Sequence, residues 1–419
     1  MDIRSPQPRF RINSRVSDYF SVAKYLAKQK LEINHDDWHN LERYVEELTG
    51  AKHAICMPQA RVGIHLAICE AVQPGKEVIL SPNTIADVIN MVVSAGAVPV
   101  FCDIDPVTGN LDPATAETLI TDKTAAIMCT HLYGLVAPMA ELQALAEKHG
   151  LALIEDSAQA FGARYDGKYA GAIGDFGVFS FGMAKNVTAF FGGMVLVKED
   201  AAAESIRARI AQFPVMDRTK FGKKALSCFI KDTATMDIVF SQMLFPLFRM
   251  AYRKDIRALT SLMETELDLS LKSNFPESYK ARMTPVQARL ILKKMDKLES
   301  DYEHRLQCAR IYHEGLQDLP NLKIPPLLED GSHVYNYYPV QHSDRVGLRA
   351  FMMETRRDAA LQHIKNTADL PAFQNWYRDC PNCREWAAQT IMLPNYAKYR
   401  FSEVEKNVEA IRKFCEQSA

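Results

Sequence analysis

The chain has 419 residues, 47% hydrophobic and 24% charged, with 50 Lys+Arg against 51 Asp+Glu, which puts it among globular chains and excludes an intrinsically disordered one. A net charge of -1 removes the basic footprint of a nucleic-acid binder. Nine cysteines without framework spacing point to a reducing compartment, so a cytoplasmic location is expected; the basic start, MDIRSPQPRFRINSR, has no apolar run of the secretory kind.

Seven short apolar, β-rich runs follow one another at 54–57, 77–81, 98–104, 125–130, 152–155, 177–181 and 194–197. The spacing leaves room for crossover helices, such as 139–149, and predicts an α/β domain with a mostly parallel seven-stranded sheet. Ligands of such sheets bind at the carboxyl ends of the strands. After 197 the alternation stops. A helical stretch runs to about 275, followed by a charged helix over 285–305 with an apolar stripe of Leu290, Leu292, Met295 and Leu298. A strand at 334–340 and helices at 346–355 and 401–417 predict a smaller α+β domain at the end. The expected division is 1–270 for the large cofactor-binding domain, with an inserted helical segment at about 215–270, and 271–419 for the small C-terminal one.

Two constellations carry chemistry. In the segment IEDSAQA, Asp156 closes an apolar strand; alone, it reads as a helix N-cap. In FSFGMAKN, Lys185 follows the end of a later strand; alone, it reads as a solvated surface charge. Together, an Asp at one strand end and a Lys 29 positions on suit pyridoxal phosphate, which takes a lysine for its Schiff base and a carboxylate against its pyridinium nitrogen. Ser180 can donate its hydroxyl to the phosphate. The turn containing Ala60 and Arg61, between the first strand and its helix, supplies a helix start where N–H groups and dipole favour an anion; Arg61 otherwise reads as a surface residue.

With these residues in view, the sequence resembles the DegT/DnrJ/StrS family of pyridoxal-phosphate sugar aminotransferases, of fold type I. The resemblance rests on AGAVPVFCDIDPVTGNLDP (95–113), THLYG (130–134), KHGLALIEDSAQAFGARYDGK (148–168), GDFGVFSFGMAKNVT (174–188) and RMTPVQARL (282–290). It implies Lys185 as the Schiff-base lysine, Asp156 on the pyridine nitrogen, Ala158 against one ring face, Gln159 near the 3-hydroxyl, and Ser180 with Ala60 and Arg61 on the phosphate. It further implies a homodimer whose active site is shared, the segment before RMT, here Lys280, crossing to the partner's phosphate. The reaction implied moves an amino group from an amino acid, glutamate by expectation, to a keto or aldehyde carbon of a sugar or sugar-like acceptor.

The chain also departs from the family pattern. Ala60-Arg61 stands where Gly-Thr is usual, Lys280 where Asn is usual, Ile85 where an aromatic residue stacks on the ring, Phe161 where His is frequent, and Phe190-Phe191 where Gly-Glu precedes Gly192-Gly193. These exchanges predict a cleft more apolar than the family's and raise an apolar or lipid-linked acceptor as the alternative. The insertion supports that alternative: 236–252 is an apolar run flanked by Lys220, Lys223, Lys224, Arg253, Lys254 and Arg257, too interrupted to span a bilayer but compatible with a membrane surface or with an inserted helix packed on the body. A sugar dehydratase of the same fold usually carries His in place of the lysine, and Lys185 argues against it; a regulatory relic would not retain Lys185, Asp156, Gln159 and Ser180 together. No metal site is expected, since Cys380 and Cys383 form one CxxC without further ligands.

Overall fold

The computed structural model describes residues 3–27, 36–253 and 268–417. Apolar runs become strands β1 (His53–Met57), β2 (Glu77–Leu80), β3 (Val98–Phe101), β4 (Thr124–Thr130), β5 (Ala152–Asp156), β6 (Phe176–Ser180) and β7 (Gly193–Val197). All seven join one sheet in the order β1-β7-β6-β5-β4-β2-β3. It is parallel from β6 through β3, while β7 runs antiparallel to both neighbours. Along β4, Ala126 and Met128 enter a core shared with helices α3 (Ala60–Ala71) and α4 (Ala86–Ser94), and Ile127 and Cys129 enter another with α5 (Met139–His149). That alternation is the period-2 pleat of a sheet covered on both faces.

A second, three-stranded antiparallel sheet, β8 (Tyr338–Gln341), β10 (Thr390–Leu393) and β9 (Ala360–Leu361), has its own core with Leu306, Tyr312, Leu348 and Ile411. The strand expected over 334–340 begins only at Tyr338. Before it, the chain spends its backbone bonds on the large domain instead, Val334 N on Gly134 O and Asn336 N on Tyr133 O, both at 2.9 Å.

The helix expected over 285–305 is two, Pro285–Met295 and Leu298–Leu316. The break falls at Lys297, whose φ of -111° and ψ of 3° leave the helical region. Of the expected stripe, Leu290 and Met295 are buried, and Leu292 and Leu298 pack partly against the same core. Lys294, just before the break, is itself buried and tied to Asp18 at 3.0 Å, Asn13 O at 2.8 Å and Thr188 O at 2.6 Å.

Two further features frame the site. Residues 5–14 form an extended strap: Ser5 Oγ donates to Glu403 (3.1 Å), Arg9 Nε to Asp358 (2.9 Å), Arg11 to Asp237 (3.4 Å) and Asn13 Nδ2 to Asn186 O (2.8 Å). The insertion holds helix Arg218–Ala234, a π-helical turn Phe240–Leu244 and helix Phe245–Arg253; Lys254 and Arg257 lie outside the described residues. No described helix is long and apolar enough to cross a membrane.

Candidate active site

The carboxyl ends of β5 and β6 and the start of α3 converge on one edge of the sheet. Register explains how. Both Met57, last of β1, and Ser180, last of β6, pair with Gly193, so the helix that follows β1 starts beside Ser180. Gly193 is required there: a Cβ would stand 2.5 Å from Ala60 N and 2.7 Å from the Gln59 carbonyl carbon. The N-cap residue Gln59 makes no side-chain cap bond, so no cap side chain occupies the first N–H groups of α3.

Asp156 is buried at the end of β5. Burial raises its pKa, opposed by the Ala158 N–H (3.1 Å to Oδ1) and by the Lys185 charge. Its neighbour Glu155 anchors this strand end, accepting from Gly171 N (2.7 Å), Ile173 N (2.8 Å) and Gly174 N (2.7 Å). His131 completes the network: Nδ1 accepts from Ala137 N (3.0 Å), so the ring proton lies on Nε2 and faces Glu155 at 3.0 Å. Burial lowers Lys185 to about 8, with Asp156 pulling the other way. No hydrogen bond or ion pair within the described residues engages its amine. His363 is lowered to about 4 by burial and then by the Lys185 charge.

The other expected residues fall as follows. Ser180 is half-buried, its Oγ accepting from Gly182 N at 3.4 Å. Gln159 accepts from Tyr133 N at 3.1 Å and so holds Tyr133 at its positive φ of 56°. Ile85 caps α4 with extended backbone and is half-buried against the core. Ala60 opens α3, but Arg61 is spent on Asp87, which also binds Lys272 and the Tyr279 hydroxyl; its charge is already matched. Lys280 pairs with Glu277 at 2.5 Å, outside the cleft at Lys185.

That cleft is lined by Lys185, Arg9, Asn13, Arg305, Asn336 and Tyr396 among others. It mixes charged and amide side chains with apolar ones, and Ile85, Phe161, Phe190 and Phe191, expected from the sequence to make the cleft apolar, are not among its lining residues. Phe161 meets Phe179 and Phe181 edge-on at 4.8 and 5.6 Å, Phe190 stacks on Tyr19 at 5.1 Å, and Phe191 packs on Phe221 under Lys224. The three rings stay with the core because α1 (Val16–Ala27) and the insertion supply apolar partners on that side. Cys380 and Cys383 are buried free thiols in the core with Trp386, and among the described residues no cluster of three or more His, Cys, Asp or Glu could hold a metal.

His131, His363, the strap residues and Arg305 were not singled out from the sequence. They come from four distant stretches and carry no local spacing signal; only THLYG, which contains His131, could have flagged one of them. An enclosed lysine amine, a buried carboxylate at the adjoining strand end, and a helix start beside a serine hydroxyl fit pyridoxal phosphate in amine, ring nitrogen and phosphate.

Comparison with known proteins agrees. The sequence profile of the DegT/DnrJ/EryC1/StrS aminotransferase family matches residues 17–233 and 252–412; the gap falls in the insertion. A pleiotropic regulatory protein of Geobacillus stearothermophilus is 29% identical over 381 residues, 89% of this chain and 88% of that protein. GDP-perosamine synthase of Caulobacter vibrioides is 41% identical over 167 residues, 40% of this chain and 45% of the synthase. In three dimensions, an aminotransferase from Psychrobacter cryohalolentis superposes with a TM-score of 0.76 at 23% identity, covering 99% of both chains.

Proposed function

The chain belongs to the DegT/DnrJ/EryC1/StrS aminotransferase family, and from that premise we propose that it moves an amino group from an amino acid, glutamate as the expected donor, onto the carbonyl carbon of a nucleotide-linked sugar. Similarity to GDP-perosamine synthase and the polar side chains in the cleft lining, Arg9, Asn13, Arg305 and Asn336, support the sugar over an apolar acceptor. The observation that carries the reading is the unpartnered, enclosed amine of Lys185 beside buried Asp156.

Pyridoxal phosphate, when bound, supplies an electron sink for the substrate's Cα–H bond. Asp156 keeps a proton on the ring nitrogen by its charge, and its burial makes a cationic partner the natural compensation for its own desolvation. Lys185 would hold the Schiff base and, once freed from it, take up and release a proton at its Nζ beside the substrate; a pKa near 8 keeps part of its population neutral at physiological pH. The start of α3 and Ser180 hold the phosphate, and His131 positions Asp156 through Glu155 rather than touching the cofactor.

Lys280, outside its own chain's cleft, fits the reading that it reaches a second copy's phosphate in a homodimer. Nine free thiols fit a cytoplasmic enzyme, and 1–270 with 271–419 remains our division into domains. Incubating the holoenzyme with L-glutamate and measuring 2-oxoglutarate, then adding a nucleotide-linked keto sugar and detecting its amine by mass, tests the function. Both products should form with the wild type and neither with Lys185→Ala; equal turnover in that variant would sink the assignment.

A further inference from the structure

Three guanidinium groups, Arg9, Arg11 and Arg305, border the cleft at Lys185. Two are matched by carboxylates, Arg9 by Asp358 at 2.9 Å and Arg11 by Asp237 at 3.4 Å. Arg305 is not. It projects from the helix Leu298–Leu316, is 2% exposed, donates through Nε to the Val334 carbonyl at 2.8 Å, and leaves Nη2 with no acceptor. Asp301, whose charge is felt at Arg305, accepts instead from Asn13 at 2.9 Å. Burial lowers even this guanidinium to about 10. A buried charge without a partner is a cost that proteins rarely leave standing.

The same cleft holds further open groups. Asn186 and Asn336, 9% and 8% exposed, each leave Nδ2 without an acceptor. Asn395 is oriented by its own Nδ2 bond to the Arg305 carbonyl at 3.1 Å and leaves Oδ1 open. Donors therefore outnumber acceptors, and one donor is a planar cation whose fork matches a carboxylate. A hydroxyl face, which donates as well as accepts, would satisfy this set less well.

We propose that Arg305, with Asn186 and Asn336, forms a carboxylate pocket that seats the carboxylate of a substrate beside Lys185. It rests on the transamination reading for the identity of that substrate, which is either the amino-acid donor or an acidic sugar acceptor. Arg305 then sets donor or acceptor selectivity, and Asn395 Oδ1 receives a donor group of the same ligand.

Calorimetric titration of the holoenzyme separates these cases. Glutarate, which has no amine and cannot react, stands for the donor, and glucuronate for an acidic sugar. Glutarate is expected to bind the wild type and to lose about 10- to 100-fold in affinity in Arg305→Met, the scale of a charged hydrogen bond, and several-fold in Asn336→Leu. Arg305→Lys, which keeps the charge but not the fork, should fall between. Because a buried arginine can matter for folding, the wild type is also titrated with the neutral diamide of glutarate, which should bind at least 10-fold more weakly. Arg305-dependent binding of glucuronate alone assigns the carboxylate to the acceptor. Unchanged glutarate affinity in a folded Arg305→Met protein, equal binding of acid and diamide, or no binding of either acid overturns the pocket. Lys185→Ala should still bind glutarate while making no product, so loss of transamination and loss of the pocket are read independently.

Discussion

Gly193→Ala is the most direct probe of the proposed anion site at the start of α3. The added Cβ would lie 2.5 Å from Ala60 N and 2.9 Å from Ala60 Cα, against an ordinary contact of about 3.5 Å. The obstacle is backbone, so the start of α3 must move by about 1 Å relative to β7. Overpacking of this kind costs about 1 to 3 kcal/mol in stability. The same movement takes the helix-start N–H groups beyond the roughly 3.2 Å at which they bond well. Losing one such bond to a charged acceptor costs about 1.5 to 3 kcal/mol, or a 10- to 100-fold weaker hold on pyridoxal phosphate. Fluorescence titration of the apoprotein with the cofactor reads this directly. Gly222→Ala is the control: its nearest neighbour is the flexible end of Leu26, 3.3 Å away, and cofactor affinity should not change. Wild-type cofactor affinity in folded Gly193→Ala would refute the claim that the start of α3 binds the phosphate.

Asp156→Asn should retain the cofactor yet lose about 100-fold or more in rate, since an amide cannot hold the ring-nitrogen proton; an unchanged stopped-flow rate with glutamate would place that partner elsewhere. Because burial depresses Lys185 to about 8, its neutral fraction climbs about tenfold between pH 7 and 9, and the rate at which the apoprotein captures cofactor should climb with it; a flat profile would contradict the enclosure. The depressed pKa also means that the unfolded chain binds the extra proton between about 8 and the ordinary lysine value, so wild-type stability gains with rising pH there. Lys185→Met apoprotein should therefore melt above the wild type at pH 7, with a narrower margin at pH 9.5. Removing the His131 ring leaves the Ala137 N–H without a partner and strips one donor from buried Glu155; His131→Ala should lose about 1 to 3 kcal/mol per orphaned group in denaturant unfolding, and no loss would show that the network is replaceable.

What could be read from the sequence follows from how local the determining forces are. The seven strands were legible because each is a short apolar run bounded by turns, Asp156 because it closes such a run, and Lys185 because it follows one after a short turn. The orientation of Phe161, Phe190 and Phe191 was not legible: a ring's chemistry says that it will be covered, but which face covers it depends on where α1 and the insertion settle. Nor was the break at Lys297, which no glycine or proline marks. Strand β8 begins late because Val334 and Asn336 pair with a turn some 200 residues away, a partner that no window along the chain contains. The polar side chains of the cleft are of the same kind, since Arg9, Asn186, Arg305 and Asn395 meet only in the fold.

The strap over residues 5–14 has a mechanical consequence. It is pinned to the loop after Lys185 through Asn13, to the insertion through Arg11 and to the smaller domain through Ser5 and Arg9, so it links three bodies in series with the cleft between them. Any rocking that widens the cleft must stretch this link or unpin one of its ends, which makes the strap a tension gauge for opening. A pair of spin labels, one on the strap and one on the helix Phe401–Gln417, would convert substrate entry into a change of distance without a reporter in the reacting space.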